Sequence, residues 1–316
     1  MVRNNLKIAL RHLRRQKVYT TINVLGLAVG MAACLLIGLY VDDELSYDDF
    51  HANADRIVAV GMQSDFFGAS RNTPYPLAPT LASEIPMVDA TVRTTGDATE
   101  RTVRYAPESY EQPVRVLTAD STFFDVFSFP LVRGSAETVL DAPNQAVLTE
   151  ATAETFFGTA DPMGRTLTLA IRGEPIEVTV AGVARDLPTN STIQFEMVLP
   201  LSAYPLRDQQ RQQWGMLMFH TYAQLNQPVE ADTVSAAMMQ AAAPHIERFP
   251  FTFSAIPLTD LYLSDFVSAD GFSGQWSYSY LFGSIAVLIL LIAAINYVNL
   301  VTAQAEQRAG EVGVRK

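Results

Sequence analysis

Residues 280–301, YLFGSIAVLILLIAAINYVNLV, carry no charge over 22 positions. At about 1.5 Å of rise per residue, such a helix crosses a bilayer core of about 30 Å. Its Leu, Ile, Phe and Val side chains each favour insertion by roughly 0.3–0.6 kcal/mol, and Asn296 and Asn299 subtract from the total. The competing reading is a buried helix of a soluble protein, but such helices are usually shorter and carry a polar stripe. After the run come residues 302–316, TAQAEQRAGEVGVRK, with Glu306, Arg308, Glu311, Arg315 and Lys316. Gly310 and Gly313 predict a break in the helix there.

Working outward, a second uncharged run spans Val18 to Val41. A cleaved signal peptide would have an apolar region of about 7–15 residues ending at a small-residue site. This run is longer and passes directly into Asp42-Asp43-Glu44. Met31-Ala32-Ala33-Cys34 faintly mimics a lipoprotein cleavage site, yet Leu35 to Val41 continue the apolar run beyond the cysteine. The run is read as an uncleaved transmembrane helix. Gly26, Gly30, Cys34 and Gly38 fall every four residues along one face, so Gly26, Gly30 and Gly38 are the candidate helix-packing residues. Ahead of it, Val2, Leu6, Ala9, Leu10 and Leu13 alternate at helical spacing with Arg3, Lys7, Arg11, Arg14 and Arg15. That is a basic amphipathic helix for an anionic membrane surface, or a plain positive flank that fixes topology.

Both spans carry basic residues at one end, before the first and after the second. The positive-inside rule then places both termini in the cytoplasm and the region between the spans outside. The expected organisation is a basic amphipathic helix at 1–17, a transmembrane helix at 18–41, an extracytoplasmic domain at 42–277, a second transmembrane helix at 278–303 and a cytoplasmic segment at 304–316. The fold class is a membrane protein, with two transmembrane α-helices flanking a mixed α+β extracytoplasmic domain. The net charge is −11, the first 17 residues hold six basic side chains, and lysine occurs only at 7, 17 and 316. The outer region is therefore strongly acidic and would repel phosphate, which argues against nucleic acid as a partner. One cysteine allows no intrachain disulfide, and the four His fall in no zinc spacing. The acidic cluster Asp42-Asp43-Glu44 suits a solvated helix end better than a cation site, because no other ligand spacing supports it.

Within the outer domain, Arg56–Val60 and Val114–Leu117 read as strands, and Pro76–Ile85 as a helix opening after prolines. Ser121–Phe127 reads as a short helix capped by Ser121. Ala146–Leu148 reads as a strand and Glu150–Phe157 as a helix closed by Gly158. Asp161-Pro162-Met163-Gly164 is a turn, and Thr166–Ile171 with Ile176–Val183 form a hairpin around Arg172-Gly173-Glu174. His220–Leu225 is a further strand and Val229–Ala243 an Ala-rich helix. No tandem repeat or low-complexity tract is evident.

Three segments carry a resemblance. Asn296-Tyr297-Val298-Asn299-Leu300 followed by Arg308-Ala309-Gly310-Glu311-Val312-Gly313-Val314-Arg315-Lys316 resembles the end of the second transmembrane helix of MacB/FtsX-like ABC transporter permeases. Gln307-Arg308 stands where two basic residues are common in that family. Asp42 to His51, DDELSYDDFH, is similar to the stretch after the family's first helix. Asp186-Leu187-Pro188-Thr189-Asn190-Ser191 matches its D-x-P-x-N-S loop. The strand–helix–Gly–D-P-x-G–hairpin order looks like the periplasmic core domain of MacB-like permeases.

The resemblance implies a permease subunit in the cell (inner) membrane, working with a separate ABC ATPase. A second permease copy or a paralogue would complete a dimer, with membrane lipids and other envelope proteins as further partners. It also implies two more transmembrane helices, so the chain reads as a truncated form. The residues themselves exclude a motor: no G-x-x-x-x-G-K-[ST] loop is present, and three lysines at the chain ends leave none for it. No HExxH or GxSxG motif occurs, and Asp186 with Ser191 lacks a nearby His, so the chain is read as a non-enzyme without cofactor or metal. Glu311, Arg315 and Lys316 are the candidate ATPase-coupling residues. The i,i+4 pair Glu311–Arg315 is worth only about 0.2–0.5 kcal/mol, too little to explain so specific a segment by stability. The rival reading is a two-span membrane-anchored sensor or ligand-binding protein with no transport role.

Overall fold

The structure, a computed structural model, describes residues 17–65, 68–105, 110–247, 251–266 and 276–313. The amphipathic helix expected before Lys17 lies outside the described residues, as do Arg315 and Lys316. The chain divides into two compact units, Met1–Leu45 with Gln275–Lys316, and Ser46–Gly274.

The first unit pairs helix α1 (Lys17–Leu45) with a C-terminal helix (Trp276–Gly313). Within them, Val24–Leu45 and Tyr280–Asn299 are long and apolar enough to cross a membrane. The buried-core alternative fails on exposure: Leu35 and Leu36 are each 68% exposed and Ile292 67%. Large apolar side chains facing outward along the whole length require an apolar medium. The break expected at Gly310 is absent, and the helix continues to Gly313. A glycine costs a helix about 1 kcal/mol, and here it follows Ala303 to Ala309, a run of strong helix formers that outweighs it.

The second unit is built on strands β1 (Ile57–Ser64), β2 (Gly68–Ser70), β3 (Asn72–Pro74), β4 (Val88–Thr94), β5 (Thr99–Tyr105), β6 (Tyr110–Ala119), β7 (Leu131–Arg133), β8 (Gln145–Thr149), β9 (Thr166–Ile171), β10 (Glu174–Ala184), β11 (Met197–Pro200), β12 (Leu217–Leu225) and β13 (Phe251–Pro257). Helices α2 (Leu77–Glu84), α3 (Phe123–Val126), α4 (Glu150–Phe157), α5 (Asp208–Arg211) and α6 (Ala231–Ile246) lie between them, and the C-terminal helix is α7.

Among the described residues the strands form one continuous sheet in the order β11-β8-β10-β9-β5-β6-β4-β12-β1-β13. Strand β11 also pairs in parallel with β6, Met197 opposite Val116. That extra pairing closes β6, β5, β9, β10, β8 and β11 into a ring, in effect a six-stranded barrel. Val103, Val114, Leu148, Leu167, Val178 and Met197 are fully buried in its core. Closure removes two free edges that would otherwise invite strand addition. Beyond a single β6–β4 pair, Ala119 opposite Thr94, the sheet opens out as β4-β12-β1-β13. There α2 and α6 cover it, with Leu77, Leu81, Val234 and Met238 buried against Val58, Val60 and Met62. At the junction sits an aromatic cluster of Phe123, Phe124, Phe127, Phe129, Phe195 and Tyr222.

Local signals that the sequence displays are realised in detail at α4. Thr149 caps its N-terminus, accepting from the Thr152 N–H, and Gly158 follows its end at φ 58°. In the D-P-x-G turn, Asp161 accepts from the Met163 N–H and Gly164 takes φ 73°. The cap expected at Ser121 moves by one residue. Thr122 precedes α3, and its hydroxyl donates to the Thr91 carbonyl rather than capping the helix.

Candidate functional site

Two of the segments singled out in the sequence, 42–51 and 186–191, meet through side chains. Ser46 is the first residue after α1, and both its carbonyl and its hydroxyl accept from the Asn190 amide, at 3.0 and 2.9 Å. The Asp48 N–H donates to the Asn190 carbonyl at 2.9 Å. Asp48 takes φ 57°, a left-handed conformation that Asp tolerates better than most residues. This turn points its carboxylate inward, where it is fully buried. It accepts from the Ser191 hydroxyl (2.9 Å), the Thr192 N–H (3.0 Å) and the Thr192 hydroxyl. Burial pushes the Asp48 carboxyl above its ordinary range, against the lowering effect of the Thr192 and Ser191 hydrogen bonds and the Arg71 charge. Three short bonds to one carboxylate, each worth about 1.5–3 kcal/mol, make this a strong clasp between the start of the outer domain and a loop some 140 residues further on.

His51 completes the clasp. Its Nδ1 accepts from the Ser128 N–H at 3.0 Å, and the Ala52 N–H donates to the Ser128 hydroxyl at 2.9 Å. The ring packs among Phe50, Phe127 and Phe129. Burial lowers its pKa to about 4, so it is neutral at pH 7. With Nδ1 accepting, Nε2 carries the proton, buried without a hydrogen-bond partner and 4.0 Å from Asp48 Oδ1.

Neither Asp186 nor Ser191 supports catalysis here. Asp186 accepts from the Ala151 N–H in the first turn of α4, and Ser191 is fully buried with its hydroxyl on Asp48. No cluster of three His, Cys, Asp or Glu suited to a metal exists among the described residues.

In the helix pair, Gly30 is buried, and a Cβ there would stand 3.5 Å from the Ala293 Cβ and 3.6 Å from Ile289. Gly26 lines the same groove, together with Ala33, Ala293 and Asn299. Cys34 Sγ donates to the Ala286 carbonyl at 3.5 Å, and Tyr40 meets Phe282 edge to face at 5.2 Å. Gly38 is exposed, with nothing within 4 Å of an added Cβ. The structure thus brings Gly26 and Gly30 to the partner helix and leaves Gly38 clear of it. Glu311 lies in the last turn of α7.

Sequence reasoning placed no role on Thr192, Ser128 or Asn190 as clasp partners. The motif residues were visible, but nothing local says that positions so far apart in the chain meet.

The profile of the MacB-like periplasmic core domain matches residues 20–241. The chain belongs to that family, the MacB/FtsX-like permeases. Among solved structures, a domain of a putative permease protein from Porphyromonas gingivalis is similar at a TM-score of 0.57 and 24% identity, covering 66% of this chain and 92% of its own. The periplasmic region of MacB from Actinobacillus actinomycetemcomitans is similar at 0.45 and 14% identity, over 63% of this chain and 87% of its own. The extracellular domain of the noncanonic ABC-type transporter YknZ from Gram-positive bacteria is similar at 0.43 and 16%, over 63% and 99%. No curated protein matches the chain.

Proposed function

We propose that the chain is the permease subunit of an ABC-type transporter whose ATPase is a separate polypeptide, and that it acts by moving its outer domain rather than by enclosing a wide channel. The observation that carries this reading is the Asp48 clasp. Only Ser46 and Tyr47 separate the end of α1 from a buried carboxylate that grips a distant loop of the outer domain. These hydrogen bonds fix the first residues of the outer domain to its body, so that the domain is held firm from the residue that follows α1. Glu311, Arg315 and Lys316, following the second span, are the docking residues for the ATPase, and both termini face the cytoplasm. Two copies, or this chain and a paralogue, form the working unit.

Charge reversal separates docking from simple membrane anchoring. Glu311→Arg adds positive charge on the inner side, so the positive-inside rule predicts unchanged insertion. Association with the partner ATPase and stimulated ATP hydrolysis are expected to fall together in co-expression. If association and hydrolysis both match the wild type, Glu311 has no coupling role. For orientation, a cysteine at exposed Thr159 in a Cys34→Ser background is expected to react with an impermeant maleimide in intact cells. Reaction only after lysis would reverse the topology.

A further inference from the structure

The Asp48 clasp holds the first end of the outer domain. Its second end is the segment 258–266, which follows β13 and opens with a 3-10 turn, Leu258–Asp260. Among the described residues this segment joins no strand ladder. Its turn bonds close on the segment itself: the Leu261 N–H donates to the Leu258 carbonyl, and the Ser264 N–H and hydroxyl both donate to the Leu261 carbonyl. Side-chain packing fastens it to the domain, and that packing grades along the chain. Leu258 and Leu261 are buried in the aromatic junction core, Leu263 is buried, and Tyr262 and Phe266 are only half-buried.

Phe266 is the last side chain to touch the domain, and β1 makes a seat for it. A Cβ added at Gly61 would stand 2.6 Å from the Phe266 Cε1 and 2.8 Å from its Cδ1, with Ile256 Cδ1 of β13 also at 2.8 Å. No side chain fits there unless the ring shifts. Glycine inside a strand weakens it and marks a place where another group approaches the backbone closely. Here that group is the Phe266 ring. Tyr262 makes a second link: its ring stacks on Tyr47, centroids 3.5 Å apart and planes 3° from parallel. Tyr47 lies between Ser46 and Asp48, inside the clasp. The two ends of the outer domain are thus tied to each other as well as to its body.

We propose that 258–266 is a strap with a fixed root and a releasable tip. Leu258 and Leu261 stay in the core, while Tyr262 and Phe266 lift from Tyr47 and Gly61 and lengthen the lead toward α7. Residues 263–266, once freed and extended, add about 13–14 Å of reach. Local opening is the property of segments held by few buried contacts and no ladder, and the tip meets both conditions where the root does not. The first end has no such reserve, because the Asp48 N–H and carboxylate are both bonded to the 190–192 loop. The outer domain is therefore held short at its first end and on adjustable length at its second. This proposal stands on packing within the outer domain and does not depend on the permease reading.

The test is hydrogen exchange of the full chain in detergent micelles, read by mass spectrometry. In the wild type, the amides of 263–266 are expected to exchange faster than the β1–β13 ladder and slower than a free peptide. Phe266→Ala should speed their exchange at least about tenfold while the ladder and the Asp48 N–H keep their protection. Gly61→Ala should release the same amides from the other side of the contact, since its methyl group displaces the ring. The double variant should exchange no faster than the faster single one, because both substitutions remove one contact. Leu261→Ala, at the root, should instead loosen the junction core as a whole. Wild-type exchange at 263–266 as slow as the ladder, or as fast as a free peptide, overturns the proposal. So does a Phe266→Ala variant that leaves these amides unchanged or loosens the ladder equally. Should Gly61→Ala fail to fold, Phe266→Ala, at a half-buried position, decides alone.

Discussion

The helix pair and the outer domain turn their large apolar residues in opposite directions. In the outer domain Phe123, Phe127, Phe195 and Tyr222 are withdrawn almost completely from the surface. In the helices Leu35, Leu36 and Ile292 face outward, and the buried position at the contact is a glycine, Gly30. One region folds because water expels its large side chains. The other does not need water for that purpose: its large side chains are satisfied by lipid, and close approach at small residues holds the helices together. The two regions should therefore respond to different kinds of substitution.

The largest difference is expected from paired truncations. Phe123→Ala removes a ring that touches Phe124, Phe127, Phe129 and Phe195. It should lower the stability of the outer domain by about 3–5 kcal/mol. Leu36→Ala, at an outward position, should alter insertion by only about 0.5 kcal/mol and leave the outer domain's unfolding transition in place. Thermal unfolding of the full chain in micelles, followed by near-ultraviolet circular dichroism, reads both. Equal effects from the two would break the comparison.

Acid provides the next separation, because the buried titratable groups resolved here lie in the outer domain. The His51 pKa is lowered from 6.5 to about 4. A depressed histidine contributes stability that is fully present above 6.5 and is lost as pH falls to about 4. At 1.36 kcal/mol per unit the loss is on the order of 3 kcal/mol. His220 is shifted in the same direction by burial. Asp48, with its pKa raised, acts with the opposite sign and offsets part of the loss once pH falls toward carboxylate values. The midpoint temperature of the outer domain should therefore drop between pH 6.5 and 4, and His51→Gln should flatten that slope. A slope unchanged by His51→Gln would remove the histidine from the account.

The smallest effect concerns the helix contact. An alanine Cβ at position 30 would sit at ordinary van der Waals distance from Ala293, so Gly30→Ala should change little. The same distance, 3.5 Å, is suited to a disulfide. The double variant Gly30→Cys/Ala293→Cys, in a Cys34→Ser background, is expected to cross-link on mild oxidation. Gly38→Cys/Ala293→Cys should not, and cross-linking of both pairs would point to sliding helices.

What was legible in the sequence follows the range of the signal. The spans announce themselves by length without charge. Helix α4 and the β9–β10 hairpin were readable because Thr149, Gly158 and Gly173 act on their immediate neighbours. Strands β2, β3, β4, β5, β7, β11 and β13 have no counterpart among the strands that the sequence predicts. Thr99 to Tyr105, TERTVRY, opens with four polar residues in a row, which breaks the alternation that marks a strand, and becomes one because β6 and β9 flank it. Barrel closure depends on Met197 meeting Val116, which no local pattern encodes. The clasp was half legible: both motifs stood out, while their meeting through Asp48 and Thr192 is a tertiary fact. Gly310 misled for a similar reason, since a local penalty of about 1 kcal/mol was outweighed by the run of helix formers before it.

The position of β1 sets a timetable for synthesis. It is the first strand made and nearly every residue in it is buried, yet its long partners are β12 and β13, close to the end of the outer domain. Roughly 150 residues must follow before β12 exists, which at about 5–20 residues per second takes about 8–30 s. Throughout that interval Ile57 to Gly61, IVAVG, is an apolar ribbon whose strand partners do not yet exist, while Met62 to Ser64 already have β2 beside them. Holding that ribbon out of wrong pairings, by a chaperone or by the nearby membrane surface, is a demand that this strand order places on the newborn chain.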